Sequence, residues 1–347
     1  MPRRAGFFWL AVLAAGCGRS DTPRLDGGGS TFIEPLMLKW QRVYEAETGV
    51  QVDYTGTGSG NGVQQMMHGA ILFGCTDVPM TAEQRRRARE AGGEVVHIPL
   101  ALGAVVPIYH LPGGATGRLV KLSGPVLVGV FLGEITHWND PALTELNPEV
   151  QLPNVPIKVV SRSDPSGTTA VFAEYLAKMR PRLWAEKNMG EGMAAAFAVG
   201  VRQKGNPGVA GEVDRLDGSI GYVELAFARH LNGRVATAAV QNRSGRFVMA
   251  GATSVVAAAA SLKGIPPDLC FSIVDAVGTD AYPIGGVDWA VFYRRLPADR
   301  GRLLVDFLRW VTSKNGGQRY AADLGYAPLP DPVIERIGAV LDAVEFE

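Results

Sequence analysis

The sequence predicts an α/β protein with largely parallel sheets and two domains. Short runs rich in β-branched residues alternate with stretches of helical periodicity, the order typical of parallel sheets flanked by helices. The 347 residues, 47% of them apolar, are long for one core and sufficient for two. The 43 glycines suit a fold with many tight turns between strands and helices.

The predicted elements follow one another in a regular order. Strands or β-rich apolar runs are predicted at residues 50–54, 71–74, 95–100, 103–111, 157–160, 218–223 and 290–293. Helical periodicity begins near residues 32, 63 and 171, and recurs at residues 126–131 and 303–311. Ligands of such folds bind beyond the carboxyl ends of the strands, where the following helices begin.

Three segments share an unusual composition at such positions. They are residues 29–32 (Gly-Ser-Thr-Phe), residues 58–62 (Gly-Ser-Gly-Asn-Gly) and residues 162–168 (Arg-Ser-Asp-Pro-Ser-Gly-Thr). Each combines hydroxyls with glycine and runs into a helical stretch. After the first segment, for example, Leu36 and Trp40 repeat at the spacing of one helix face. We therefore predict that each segment begins a helix.

A helix N-terminus with hydroxyls and a glycine is suited to binding an anion. Its free backbone N–H groups carry partial positive charge, and glycine allows close approach. Taken singly, each segment is more typical of an ordinary N-cap or a glycine-rich turn than of an anion site. Three together, one with Arg162, predict a small oxyanion held from several sides, with phosphate as the leading candidate.

The N-terminus has the features of a bacterial secretion signal. Arg3 and Arg4 precede an apolar run at residues 5–16, which is too short to span a bilayer. Residues 13–17 (Leu-Ala-Ala-Gly-Cys) resemble the lipobox of lipoproteins, although the leucine lies four residues before the cysteine instead of three. We expect a signal peptide at residues 1–16, a tether at residues 17–24 and lipidation of Cys17. An ordinary secretory signal with an incidental cysteine is the alternative.

Composition argues against several other functions. The 34 basic and 34 acidic residues cancel, so no net charge indicates nucleic-acid binding. The five histidines are scattered without metal-ligand spacing, and no cofactor motif occurs. No Gly-Lys dipeptide of a phosphate loop occurs, and Thr57 stands where a hydrolase elbow around Ser59 needs glycine. Cys75 and Cys270 either form a disulfide or are buried thiols, and both options stay open.

The chain resembles the phosphate-binding protein family of the bacterial high-affinity phosphate ABC transporter, the PstS family. The resemblance runs from about residue 25 to near the C-terminus and rests on a set of motifs in order. These are residues 27–32, 39–40, 54–59, 73–79, 131–135, 138–140, 146–148, 162–168, 204–206, 220–224 and 326–330.

The resemblance implies a two-lobed periplasmic binding protein of type II that closes around one phosphate. Lobe I is expected to comprise residues 25–104 and 282–347, and lobe II residues 105–281, with hinges near residues 100–110 and 280–290. The implied partners are a membrane-embedded permease and its ATPase subunits, and the protein is expected to be an extracytoplasmic monomer anchored to the cell membrane. No enzymatic activity is implied.

The resemblance also implies a ligand set. The family's phosphate-binding positions correspond to Thr31, the backbone N–H of Phe32, Ser59, Asp77, Arg162, Ser166, Gly167 and Thr168. Asp164 corresponds to the aspartate that orients the arginine. Three departures stand close to these positions: Pro165 replaces a small residue, Gly60 stands where serine is common, and Cys75 is unusual beside Asp77.

These residue types favour a protonated oxyanion. An ionised Asp77 can only accept hydrogen bonds, so it suits the proton that phosphate retains at neutral pH and repels fully deprotonated sulfate. Arg162 offers a planar fork to two oxygens. The alternatives are a receptor for sulfate, molybdate or tungstate, a phosphate sensor or scavenger, and, less favoured by the motifs, a phosphate-ester hydrolase.

Overall fold

A computed structural model describes residues 23–113, 119–190, 192–195, 197, 199–231 and 233–347. The predicted signal peptide and Cys17 lie outside these residues. The strands are β1 (Arg24–Gly29), β2 (Gln51–Gly56), β3 (Phe73–Thr76), β4 (Val95–His110), β5 (Lys121–Leu122), β6 (Lys158–Arg162), β7 (Val201–Gln203), β8 (Ser219–Glu224), β9 (Val235–Thr237), β10 (Ala239–Gln241), β11 (Phe247–Val248), β12 (Gly285–Tyr293), β13 (Arg295–Leu296) and β14 (Glu345–Phe346).

Helices stand between most successive strands along the described chain. They are α1 (Glu34–Thr48), α2 (Ser59–Met67), α3 (Ala82–Ala91), α4 (Gly124–Phe131), α5 (Pro141–Thr144), α6 (Gly167–Met179), α7 (Pro181–Glu186), α8 (Gly205–Arg215), α9 (Leu225–Arg229), α10 (Ala252–Ala259), α11 (Ala298–Thr312) and α12 (Asp331–Asp342). Short 3₁₀ turns lie at Gly192–Ala194, Gly317–Tyr320 and Ala322–Leu324. The predicted α/β class is confirmed.

One mixed sheet of nine strands organises the described chain. Its order is β2-β1-β3-β12-β4-β8-β6-β7, and β9 also pairs with β4. The outer pairs β1–β2, β1–β3, β6–β8 and β6–β7 are parallel, whereas β12 and β4 run antiparallel to their neighbours. Two groups of parallel strands are therefore joined by the central strands β12 and β4, which pair antiparallel with their neighbours.

Strand β4 joins the two halves. Its first part pairs with β12 as far as Ala104, and its second part pairs with β8 from Val105 onward. The sequence predicted two separate runs, at residues 95–100 and 103–111, but the structure has one continuous strand. Gly103 lies within this strand because pairing with β12 continues through it, and its lack of a side chain leaves room for the ring of Phe32, which a Cβ atom would approach to 2.6 Å.

The predicted helix starts are confirmed at all three glycine- and hydroxyl-rich segments. Helix α1 follows β1, α2 follows β2, and α6 follows β6. Gly58 precedes α2 with φ +97°, a conformation that glycine adopts without strain. Ser166 is the N-cap of α6, and its Oγ accepts a hydrogen bond of 3.1 Å from the N–H of Thr169.

The core runs through both halves, and large aromatic side chains fill it. Phe32, Trp40, Phe73, Trp138 and Tyr222 are fully buried. Both cysteines with described structure, at positions 75 and 270, are free thiols. None of the helices in the described part of the chain combines the length and apolar character needed to cross a bilayer.

Candidate anion-binding site

The three predicted segments converge at one end of the sheet. Parallel pairing of β1 with β2 and with β3 places Gly29 beside Gly56 and Cys75, so the loops that follow these strands are neighbours. Gly29 has φ +125°, and a Cβ atom there would lie 2.5 Å from the carbonyl oxygen of Cys75. Only glycine permits this close approach. The loop after β6 meets these loops from the other half of the sheet.

Asp77 lies at the centre of this convergence, one residue beyond β3. It is only 2% exposed, and its carboxylate accepts hydrogen bonds from the hydroxyls of Ser30 and, at 3.0 Å, Thr168. The Ser59 hydroxyl lies 3.4 Å away. Burial raises the pKa of Asp77, whereas the hydroxyl donors and the charge of Arg162 act in the opposite direction. Donors from three separate loops therefore surround one buried carboxyl group.

Arg162 approaches from the end of β6 and is held by Asp164. The Nε and Nη2 atoms of Arg162 donate to the two carboxylate oxygens of Asp164 at 2.8 and 2.5 Å. Burial acts to raise the pKa of Asp164, but this ion pair and the N–H of Gly205 leave that pKa below its ordinary value. The third nitrogen, Nη1 of Arg162, is buried and has no hydrogen-bond partner among the described residues. A buried guanidinium nitrogen of this kind needs an acceptor.

The N-terminus of α6 provides the wall opposite Asp77. Ser166 and Thr168 are buried, and Gly167 lies so close to the opposite loops that a Cβ atom would come within 2.6 Å of Ser59 Oγ and 2.7 Å of Asp77. The free N–H groups of the first helical turn add partial positive charge here. The structure thus brings Ser59, Asp77 and residues 166–168 into direct proximity.

Thr31 and Phe32 border the same place. Thr31 Oγ1 accepts hydrogen bonds from the backbone N–H and the Nδ2 of Asn206, at 3.2 and 2.9 Å. The N–H of Phe32 donates to Ser30 Oγ at 2.9 Å, so this group is satisfied within its own loop in the structure. For Phe32 to bind a ligand through its N–H, as the resemblance implies, the Ser30 hydroxyl must give up this contact.

The ligand set implied by the resemblance leaves out three residues at this site: Ser30, which lies in a predicted anion-binding segment, Asn206 and Asp288. Ser30 bonds Asp77, and fully buried Asn206 links Thr31 to Thr168, 3.2 Å from the latter's hydroxyl. Asn206 stands in a motif that carried the resemblance, which was the available signal. Asp288 is fully buried near Asp77. No local sequence pattern indicates its place in the site, because that place depends on the pairing of β12 with β3.

Two of the three departures from the family pattern, Gly60 and Pro165, contact each other. The N–H of Gly60 donates to the carbonyl oxygen of Pro165 at 3.1 Å. A Cβ atom on residue 60 would lie 2.6 Å from the Cβ of Pro165. A glycine at position 60 therefore makes room for the proline at position 165.

Comparison with known proteins agrees with this geometry. Residues 18–315 match the model of the PBP superfamily domain. The phosphate-binding protein PstS of Xylella fastidiosa strain 9a5c is 37% identical over 333 residues, which cover 93% of this chain and 88% of that protein. The PstS protein of Haemophilus influenzae is also 37% identical, over 90% of this chain and 91% of that protein. The chain belongs to the phosphate-binding protein PstS family. This is a family of binding proteins, not of enzymes.

Solved structures show the same fold. A high-affinity periplasmic phosphate-binding protein bound with phosphate superposes with a TM-score of 0.73 at 22% identity, over 91% of this chain and 92% of that one. The phosphate-binding protein from Stenotrophomonas maltophilia superposes with a TM-score of 0.68 at 20% identity, over 91% of this chain and 93% of that one.

In the described part of this chain, no group of three or more histidine, cysteine, aspartate or glutamate side chains is placed to hold a metal ion.

Proposed function

We propose that this protein captures inorganic phosphate outside the cytoplasm and delivers it to an ABC importer. The observation that carries the proposal is the buried Nη1 of Arg162, which lacks a partner in the described structure and lies among the loops that surround Asp77. A cation and a carboxylate in one buried site suit an anion that carries a proton.

We propose that the ligands are Thr31, the N–H of Phe32, Ser59, Asp77, Arg162, Ser166, Gly167 and Thr168, with Asp164 orienting Arg162. The hydroxyls and helix N–H groups donate to the unprotonated oxygens. Asp77 accepts the hydrogen bond from the phosphate O–H group. Against sulfate, the same carboxylate would face a lone pair, which costs about 1–3 kcal/mol or more.

We also propose that two lobes close around the anion, lobe I from residues 25–104 and 282–347 and lobe II from residues 105–281. The change of partner along β4, from β12 at Ala104 to β8 at Val105, supports this division. Phosphate binds the closed arrangement better because its ligands come from both lobes. Small-angle X-ray scattering should therefore give a smaller radius of gyration with phosphate, and an unchanged radius would contradict closure.

Lipidation of Cys17 is the proposed means of membrane attachment, and a permease with its ATPase subunits is the proposed partner. The sequence of residues 13–17 supports the first, and family membership supports the second. The full-length protein should partition into the membrane fraction of the cell, and the Cys17→Ser variant should not. Membrane retention of that variant would contradict the lipid anchor.

Calorimetric titration tests the proposed function directly. The purified protein, freed of bound anion, is titrated with phosphate and separately with sulfate at neutral pH. One-to-one binding of phosphate and no detectable heat from sulfate support the proposal. Equal binding of both would indicate a general oxyanion receptor. Binding of neither would contradict the proposal.

A further inference from the structure

A second buried carboxyl group, that of Asp288, lies against the anion site. Antiparallel pairing places Ala290 opposite Cys75 and Trp289 opposite Thr76. Asp288 and Asp77 are the next residues beyond the last pair of this register, Trp289 with Thr76, so we infer that they lie side by side. The register between β12 and β4 shifts at Asp288, where β12 departs from regular pairing.

The two carboxyl groups have opposite surroundings. Asp77 accepts hydrogen bonds from Ser30 and Thr168, and the charge of Arg162 acts on it. Asp288 is fully buried, and neither of its oxygens makes a hydrogen bond of normal geometry with a described residue. The two groups nevertheless act on each other, because each is among the causes that shift the pKa of its partner. Asp77 has more donors and holds the negative charge more readily. The Ser30 hydroxyl also acts to lower the pKa of Asp288, but burial and the charge of Asp77 outweigh it.

We propose that Asp288 is the proton-carrying member of a carboxyl pair with Asp77, and that its proton sets the strength and pH dependence of phosphate binding. In this pair Asp288 is a positioning residue. It donates its proton toward Asp77, which remains the ionised acceptor for the phosphate O–H group. The inference rests on the proposed function and adds to it a second acidic residue that controls the specificity-determining carboxylate.

The direction of the pH effect follows from the environment of Asp288. Burial, followed by the negative charge of Asp77, raises the pKa of Asp288 well above its ordinary value. The other ionisable groups that act electrostatically with Asp288 are Tyr54, Cys75 and Tyr326. Burial raises the pKa of each of them, so they stay neutral in the same range.

In the proposed pair Asp288 therefore keeps its proton beside the ionised Asp77 and loses it only as the pH rises through its raised pKa. Its ionisation places a second negative charge beside Asp77 and the bound anion. Phosphate affinity should fall as this happens. By linkage, phosphate should hold the proton on Asp288, so binding at alkaline pH should be accompanied by proton uptake.

The test compares the purified wild-type protein with Asp288→Asn, which keeps the shape and the donor but cannot ionise. Glu224→Gln is the matched control, since Glu224 is another fully buried carboxyl with a raised pKa. Phosphate is titrated by calorimetry at pH 7 and pH 9 in two buffers of different ionisation enthalpy. Between pH 7 and pH 9, the phosphate affinity of the wild type should fall about tenfold more than that of Asp288→Asn. Phosphate binding at pH 9 should also take up correspondingly more protons in the wild type.

Three results would overturn the inference. The first is an Asp288→Asn variant with the same pH dependence and proton uptake as the wild type. The second is loss of these effects in Glu224→Gln instead. The third is a folded Asp288→Asn variant that binds no phosphate at pH 7 although the wild type does, because a neutral donor of the same shape should replace the acid.

A readout that needs no ligand separates this inference from the proposed function. Infrared spectra of the anion-free protein at pH 7 should contain a protonated carboxylic acid band that Asp288→Asn removes and Asp77→Asn retains. Removal of the band by Asp77→Asn alone would place the proton on Asp77 and refute the inference. Failure of the wild type to bind phosphate would instead refute the proposed function, whatever the infrared result.

Discussion

The two walls of the site differ in the chemistry they bring to it. The acceptor wall, residues 30–32, 59 and 77, follows β1 to β3 and carries a buried carboxylate. The donor wall, residues 162–168, follows β6 and carries a guanidinium group and a helix N-terminus. The donor wall attracts any anion, whereas the acceptor wall favours only an anion that has a proton to donate. Affinity and selectivity should therefore be separable by mutation.

The largest effect is expected on the donor wall. Arg162→Ala removes the positive charge and leaves the buried carboxylate of Asp164 without its ion pair. Such losses cost about 3–5 kcal/mol, so the phosphate affinity should fall roughly a hundredfold to several thousandfold. Arg162→Lys, which keeps the charge but loses the planar fork, should lose less. Calorimetric titration measures both, and wild-type affinity in folded Arg162→Ala would mean that the donor wall does not bind the anion.

A smaller but more selective effect is expected on the acceptor wall. Asp77→Asn replaces the pure acceptor with a group that can also donate, so phosphate should bind more weakly and sulfate more strongly. The phosphate-to-sulfate affinity ratio should shrink by about ten- to a hundredfold. Asp53→Asn is the control, because Asp53 is half-exposed and ion-paired with Arg24. An unchanged ratio in Asp77→Asn would remove the proposed basis of selectivity.

The contact between the walls offers a third test. Gly60→Ser introduces a Cβ atom 2.6 Å from that of Pro165, so the walls cannot approach as closely. We expect phosphate affinity to fall by about tenfold, the cost typical of overpacking. Pro165→Gly in the same chain should restore most of the affinity. Additive losses in the double variant would show that the two positions act independently.

The smallest effect on phosphate binding is expected at His97, which supports the acceptor wall and acts on stability instead. His97 Nε2 accepts the N–H of Met80, three residues after Asp77, and burial lowers the pKa of His97 to about 4 from an ordinary 6.5. The unfolded chain thus binds this proton more readily, and stability should fall as the pH drops from 6.5 to 4. Relative to His97→Gln, the wild-type unfolding free energy should decrease by about 3 kcal/mol over this range. Chemical denaturation measures it, and parallel pH profiles would exclude the effect.

The sequence was sufficient for the features encoded locally. Glycine, hydroxyls and helical periodicity lie next to one another in the chain. The starts of α1, α2 and α6 could therefore be predicted without knowing which other segments they contact. The continuous strand β4 could not, because its two parts pair with different strands and Gly103 is held in the strand by pairing with β12. Helix and strand patterns report local periodicity and carry no information on which strands pair.

The site shows the same limit at the level of single residues. Asp77 and Arg162 lie in motifs, but Asp288 reaches the site only through the register of β12 against β3. Asn206 joins Thr31 to Thr168 across a separation of more than a hundred residues, which no local pattern can indicate. The contact of Gly60 with Pro165 likewise explains two departures that were unrelated when read in the sequence.

The most direct test of the two-wall account is a crystal structure of the protein with bound phosphate. We expect Arg162 Nη1 to donate to one phosphate oxygen and an Asp77 oxygen to lie about 2.5–2.7 Å from another, the distance of a charged O–H···O hydrogen bond. Phosphate bound away from residues 162–168, or with the carboxylate of Asp77 turned away from it, would contradict the account.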